Sequence, residues 1–132
     1  MWRVNLRPGK PLAYGHVGGY KFFGLPGNPV SAMVTFDVFV RPTLLKMQGR
    51  EDNAAYAIAH TEEALTSDGR RSYLRVKLRR DEQGKLWATT TGTQSSGALM
   101  SMVLADGLLI VPEDVKHVPE GSPLKVRLLR AI

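Results

Sequence analysis

Between Ala55 and Leu129 turn residues cut the chain into short apolar runs, and this punctuation limits the region to a small all-β unit. Ala55 to His60, Ser72 to Arg80, Lys85 to Thr91, Leu108 to Val111 and Leu124 to Leu129 read as strands. Ser67-Asp68-Gly69, Asp81-Glu82-Gln83-Gly84, Asp106-Gly107 and Pro119-Glu120-Gly121 separate them. Gly97 to Ala105 has the apolar spacing of one short helix, and no internal repeat or low-complexity segment is present.

The first third is built differently. Glycine and proline break it at Arg7-Pro8-Gly9-Lys10-Pro11, at Gly15, Gly18 and Gly19, and at Gly24-Leu25-Pro26-Gly27-Asn28-Pro29. Trp2 to Leu6 and Tyr20 to Leu25 read as strands between these breaks. A strand that starts at the second residue leads us to expect missing upstream structure, because complete domains usually begin with a few loose residues. A helix follows with marked ends: Asn28 suits the N-cap, Pro29 the first helical position and Gly49 the left-handed residue after the last turn. Met33, Phe36, Val40, Leu44 and Met47 recur at helical spacing, and Val30, Val34, Val38 and Leu45 widen the stripe, so most of the helix is expected to be covered by protein. Pro42 lacks the N–H that would bond to the Val38 carbonyl and should kink the helix. The polar stretch Gln48 to Ala55 places a domain boundary near residue 50.

Of the 132 residues, 18 are Lys or Arg and 12 are Asp or Glu, a formal charge of +6, so an anionic partner is expected: nucleic acid, a phosphorylated metabolite or an oxyanion. The absence of cysteine excludes disulfides, thiolate metal sites and a cysteine nucleophile, and it fits a cytoplasmic protein. No run approaches the roughly 18 apolar residues of a membrane span. His16, His60 and His117 lack metal-ligand spacing, and the acidic pairs Glu62-Glu63, Asp81-Glu82 and Glu113-Asp114 fall in turns, where solvated roles are expected.

Four constellations stand out. The strand-to-helix turn Leu25-Pro26-Gly27-Asn28-Pro29-Val30-Ser31 presents the unpaired N–H groups of a helix start, which either hold an anion or only form a capped connection. Arg7 and Lys10 flank a stiff turn, with Arg3 nearby; they are either anion ligands or solvated loop charges. In Arg71 to Arg80, strand alternation puts Arg71, Tyr73, Arg75, Lys77 and Arg79 on one face and Leu74, Val76 and Leu78 on the other. That basic face is either solvated or lends one or two cations to a ligand cleft, and its single aromatic residue does not make a base-stacking platform. The run Thr89 to Gly97 offers hydroxyls and N–H groups to a phosphate, or is a plain polar loop.

Taken in order, Pro8-Gly9-Lys10-Pro11, Gly24-Leu25-Pro26-Gly27-Asn28-Pro29-Val30-Ser31-Ala32, Thr89-Thr90-Thr91-Gly92-Thr93-Gln94-Ser95-Ser96 and Ala105-Asp106-Gly107-Leu108-Leu109-Ile110-Val111-Pro112 resemble the C-terminal portion of the molybdopterin molybdenumtransferases, the MoeA and gephyrin E-domain family. The resemblance implies an α+β chain: residues 1–50 would be the C-terminal end of a three-layer α/β molybdopterin-binding domain, and residues 51–132 a small all-β, barrel-like (β-clip) domain. It implies insertion of molybdate into adenylylated molybdopterin with Mg²⁺ and release of AMP, in a cytoplasmic homodimer that also meets other molybdenum cofactor biosynthesis proteins, with no membrane or nucleic-acid partner. Arg3 and Arg7 match basic positions of the family cleft, Pro26 and Pro29 its loop prolines, and Arg75 and Ser96 polar residues on its C-terminal domain. In that scheme Arg7, Lys10 and the helix start at Gly27, Asn28, Pro29 and Ser31 hold molybdate or phosphate, while Arg75 and Ser96 close the cleft from the other side. Arg7 stands where the family usually has Lys, which replaces a point charge by a forked guanidinium. The family's acidic catalytic residues lie upstream of this sequence, so the chain alone is expected to be inactive. The competing readings are a non-catalytic binding or scaffold module of the gephyrin type and a basic nucleic-acid-binding module.

Overall fold

The computed structural model describes the backbone of residues 2–4, 6–7, 12–24, 29–91 and 104–131, and the side chains of residues 14–15, 18–20, 23, 32–91 and 104–131. Two compact units divide the chain, Met1–Asn53 and Ala54–Ile132.

In the first unit, β1 (Trp2–Val4), β3 (Leu12–Val17) and β4 (Tyr20–Gly24) form an antiparallel sheet in the order β1-β3-β4, and β2 (Leu6–Arg7) follows β1. Strand β3 was not expected from the sequence, because Gly15 and His16 interrupt its apolar pattern. What makes it a strand is the hairpin to β4. Gly18 and Gly19 both take positive φ, 54° and 84°, and close a two-residue turn between the paired Val17 and Tyr20. Tyr14 and Phe23 face each other across this hairpin with ring centroids 5.3 Å apart.

The helix runs as α1 (Pro29–Thr35), a π-helical turn (Phe36–Val40) and α2 (Arg41–Met47). The Pro42 signal emerges as this widened turn: the Arg41 N–H donates to the Phe36 carbonyl five residues back, so the helix continues past the missing donor. The Thr43 hydroxyl donates to the Phe39 carbonyl at 2.9 Å. At the other end Gly49 has φ 70°, its N–H donates to Lys46 and that of Arg50 to Leu45, a Schellman closure. The expected coverage is not met: Val34, Thr35 and Val40 are buried, but Met33, Phe36, Leu44 and Met47 are exposed. A helix buries only as many faces as it has neighbours, and the described part of this unit offers one small sheet. Asn28 lies outside the described residues.

The second unit is a closed five-stranded barrel made of β5 (Tyr56–Thr61), β7 (Arg71–Arg80), β8 (Leu86–Thr90), β9 (Gly107–Val111) and β11 (Pro123–Leu128). Around the ring β7 pairs with β8, β8 runs parallel to β5, β5 pairs with β11, β11 with β9 and β9 back with β7. Closure leaves no free edge among these five strands. A two-stranded ribbon of β6 (Leu65–Thr66) and β10 (His117–Val118) accompanies it; both strands are too short to announce themselves in sequence. Alternation fills the interior with Ala59, Val76, Leu86, Ala88, Leu109, Val111 and Val126, joined by Leu65 and Val118. The short helix expected over Gly97 to Ala105 falls, apart from its last two residues, outside the described residues.

Gly107 sits where the barrel backbones approach closely. A Cβ there would lie 2.8 Å from Val126 Cγ2 and 3.0 Å from the Arg127 carbonyl oxygen, and a backbone oxygen within a paired strand cannot yield. Gly107→Ala is expected to cost about 2 kcal/mol of unfolding free energy, as overpacking does. A urea midpoint equal to that of the parent chain would disprove this account.

Candidate functional site

On β7 the expected alternation holds on its apolar side, where Val76 lies in the core with Leu74 and Leu78 packed against it. The opposite side is not uniformly solvated. Lys77 and Arg79 are exposed at the far end, whereas Tyr73 and Arg75 are buried, Arg75 to 1% exposure. Strand register extends this row: Arg75 lies opposite Leu108 of β9, Leu108 opposite Arg127 of β11, and Arg127 opposite Tyr56 of β5. Leu108 and Arg127 are buried too, and the Arg127 guanidinium donates to the Tyr56 hydroxyl at 2.7 Å. Two buried guanidiniums therefore flank one leucine on the outer side of the barrel. Arg127 escaped the sequence reading because an isolated arginine in a β run carries no signal until register places it beside Arg75.

Asp106 also went unread as a structural hub. Its Oδ2 accepts the Leu78 N–H at 2.9 Å, while Lys77 Nζ and Arg130 Nε stand 3.4 and 3.7 Å from Oδ1. Its own N–H donates to the Val76 carbonyl, and its carbonyl accepts the Leu129 N–H. One residue thus ties the start of β9 to β7 and to the segment after β11. Its neighbours Ala105 and Gly107 to Val111 are buried with it.

The threonine run resolves into internal contacts. Thr89 donates to Glu62, which also accepts from Arg79 Nε at 2.8 Å; Thr90 donates N–H and hydroxyl to Glu63 at 3.0 and 2.6 Å; Thr91 donates N–H to the Arg75 carbonyl at 3.0 Å. These contacts tie β8 and the residue after it to the residues following β5 and to β7, and the phosphate reading of the run finds no support in Thr89, Thr90 or Thr91. The hydrogen bonds from Thr89 and then Arg79 hold the Glu62 carboxyl below the usual glutamate range. Asp81 is also lowered, chiefly by the Trp87 indole N–H at 3.0 Å and then by the Lys85 and Gln83 N–H groups of its own turn. His60 packs on Trp87 with Nδ1 3.1 Å from the Gly121 carbonyl oxygen, and His117 is exposed.

Of the residues singled out in sequence, Arg3 lies in β1 opposite Ala13, Arg7 in β2, and Pro29 and Ser31 in the first turn of α1. Lys10, Pro26, Gly27, Asn28 and Ser96 lie outside the described residues. Arg75 is the one with a described side chain, and it belongs to the barrel.

A small antiparallel sheet and helix precede a closed barrel in this chain, and the two parts match two different family models. Residues 59–129 match the MoeA C-terminal region (domain IV), and residues 1–46 match the probable molybdopterin binding domain. The chain belongs to the MoeA family. It is 39% identical over 126 residues to molybdopterin molybdenumtransferase 2 of Mycobacterium tuberculosis, covering 94% of this chain and 30% of that protein. It is 30% identical over 131 residues to the molybdopterin molybdenumtransferase of Haemophilus influenzae, covering 95% and 32%. The crystal structure of the molybdopterin biosynthesis MoeA protein from Pyrococcus horikoshii superposes with a TM-score of 0.73 at 33% identity, over 98% of this chain and 32% of that one. The chain thus spans about a third of the length of these relatives.

Two outcomes follow. Asp106→Ala leaves the Leu78 N–H without its acceptor and should cost about 2 kcal/mol, with Asp106→Asn closer to the parent because it keeps a carbonyl oxygen; chemical denaturation of the three proteins checks the order. Glu62 has a lowered folded pKa, so its contribution is present above the unfolded value near 4.5 and is lost as pH falls through the folded one. The Glu62 side chain is 29% and that of Arg79 55% exposed, so solvent screening keeps the effect under about 1 kcal/mol. Glu62→Gln should flatten the acid limb of the stability curve and leave its slope near neutral pH unchanged, which thermal unfolding at a series of pH values will show.

Proposed function

We propose that this chain is part of a molybdenum cofactor biosynthesis enzyme, a molybdopterin molybdenumtransferase, and supplies part of a cleft in which molybdate is inserted into adenylylated molybdopterin with release of AMP. Residues 1–50 would then be the end of the α/β molybdopterin-binding domain, and residues 51–132 the C-terminal β domain. Family membership and the names of the relatives support this reading, and one observation carries it to a residue: the buried guanidinium of Arg75. Taking a charge out of water costs several kcal/mol, and an apolar side chain of similar volume would serve the barrel at least as well. Arg75 has partners within the chain, and with Arg127 across Leu108 it puts two buried guanidiniums in one row of the barrel.

In this proposal Arg75 and Ser96 contribute from the barrel, and Arg3, Arg7, Lys10 and the turn through Pro26, Gly27, Asn28, Pro29 and Ser31 from the α/β part. The proposed substrates and the AMP released are anions, in keeping with the net charge of +6. Mg²⁺ finds no fit among the described residues: no three His, Asp or Glu side chains come together, and Glu62, Glu63, Asp81 and Asp106 are each engaged by protein donors. A homodimer, with the cleft shared between subunits, belongs to the same proposal, as does a cytoplasmic setting; no described helix is long and apolar enough to cross a membrane.

Calorimetric titration of the full chain with molybdate and with AMP tests the assignment. Saturable binding is expected, weakened about tenfold or more in Arg75→Ala and less in Arg75→Lys, since charge-assisted bonds to a guanidinium are lost in the first and only their forked geometry in the second. Unchanged affinity in Arg75→Ala, with a normal circular dichroism spectrum, would remove Arg75 from the site. Supplied with adenylylated molybdopterin and molybdate, the isolated chain should release no AMP.

A further inference from the structure

The outside of the barrel is divided. Around β9 and the first half of β7 the outward residues Tyr73, Arg75, Leu108 and Ile110 are all buried. On β5 the outward residues are open: Tyr56 is 45% and Ile58 57% exposed. A strand with one face in a core ordinarily carries polar residues on its wet face, yet β5 shows tyrosine, isoleucine and histidine there, continued by Trp87 across β8 and by Pro123 across β11.

The charges around this stripe are uneven. At the Trp87 end, Arg79 and Lys85 are matched by Glu62, which pairs with Arg79, and by Asp81, which accepts from the indole. At the Tyr56 end Lys125 and Arg127 lie against the tyrosine ring, with Lys125 Nζ 4.4 Å from its centroid, and Lys125 has no ion pair among the described residues. The ammonium of Lys125 thus stands beside an exposed aliphatic side chain, with Ile58 directly opposite it in the strand register.

We propose that this β5–β11 face docks an extended, acidic segment of a partner protein, with a carboxylate on Lys125 over Tyr56 and, two residues along, an apolar side chain on Ile58. Tyr56 and Ile58 are two residues apart on one strand, about 7 Å, which is the same-face spacing of an extended peptide. The barrel is closed, so recognition runs through side chains and not through an added strand. Stacked nucleic-acid bases fit less well, because the Tyr56 and Trp87 rings already lie under lysine ammonium groups. The face contains none of the residues assigned to anion binding above, and this docking stands independently of that function.

Selection from a displayed library of random peptides against the full chain tests the proposal. Enriched sequences should place Asp or Glu two residues from Leu, Ile, Val or Phe. Their affinity, read by fluorescence anisotropy, should fall about tenfold in Lys125→Glu and in Ile58→Ser, the usual scale for an anchoring contact. Both side chains are exposed, so both variants should keep the parent's thermal midpoint, and Arg75→Ala should bind the peptides normally. No enrichment, enrichment without an acidic residue, or peptides held equally by both variants would overturn it. So would tighter binding of a single-stranded oligonucleotide, or self-association of the chain that Ile58→Ser abolishes.

Discussion

Closure of the barrel depends on the first residues of β9. There one strand must pair with β7 on one side and β11 on the other while the chain arrives from outside the sheet. Gly107 lets the backbones approach where no side chain fits, and Asp106 accepts a β7 N–H with its carboxylate while its main chain bonds to Val76 and Leu129. The two residues act as a seam. Closure also sets the register that places Arg75, Leu108 and Arg127 in one row, so the candidate site inherits its geometry from a packing constraint several residues away.

Charge is distributed by the same closure. Several cations of the barrel unit lie toward the surface and form ion pairs, as Arg79 does with Glu62 and Arg70 with Asp68. Hydrogen bonding to Asp68 raises the Arg70 guanidinium above its ordinary value, and bonding to the Tyr73 hydroxyl does the same for Arg71. Such exposed pairs contribute little to stability. Arg75 and Arg127 differ, because burial makes their charge expensive and their position exact in register. Among the described residues no buried side-chain nitrogen or oxygen lacks a hydrogen-bond partner, so the polar part of the fold is fully matched where it is described.

Much of this architecture was legible beforehand, for local reasons. The five barrel strands and their turns follow from runs of β-branched and apolar residues between Gly, Asp and Pro, and the end of the helix from Gly49, all of which act within a few residues. Strand β3 was not legible, since it is held by a Gly-Gly turn and by neighbours on both sides while its own pattern is weak. Nor was the π turn, because the missing N–H of Pro42 admits either a kink or a wider turn. The threonines after Trp87 suggested a ligand loop, but their partners Glu62 and Glu63 lie 27 residues earlier and meet them only through the parallel β5–β8 pairing.

From the sequence alone come the family, the α+β class with its barrel-like C-terminal part and the basic character, because ordered motifs and short-range turn chemistry are properties of the linear chain. Tertiary structure decided which of five alternating β7 residues are buried, that Arg127 shares a row with Arg75, that Asp106 and Gly107 join the barrel, and that one outer face is left apolar beside a lysine with no ion pair among the described residues. Those outcomes depend on register between strands far apart in sequence, and register is fixed only when the sheet closes and its interior packs.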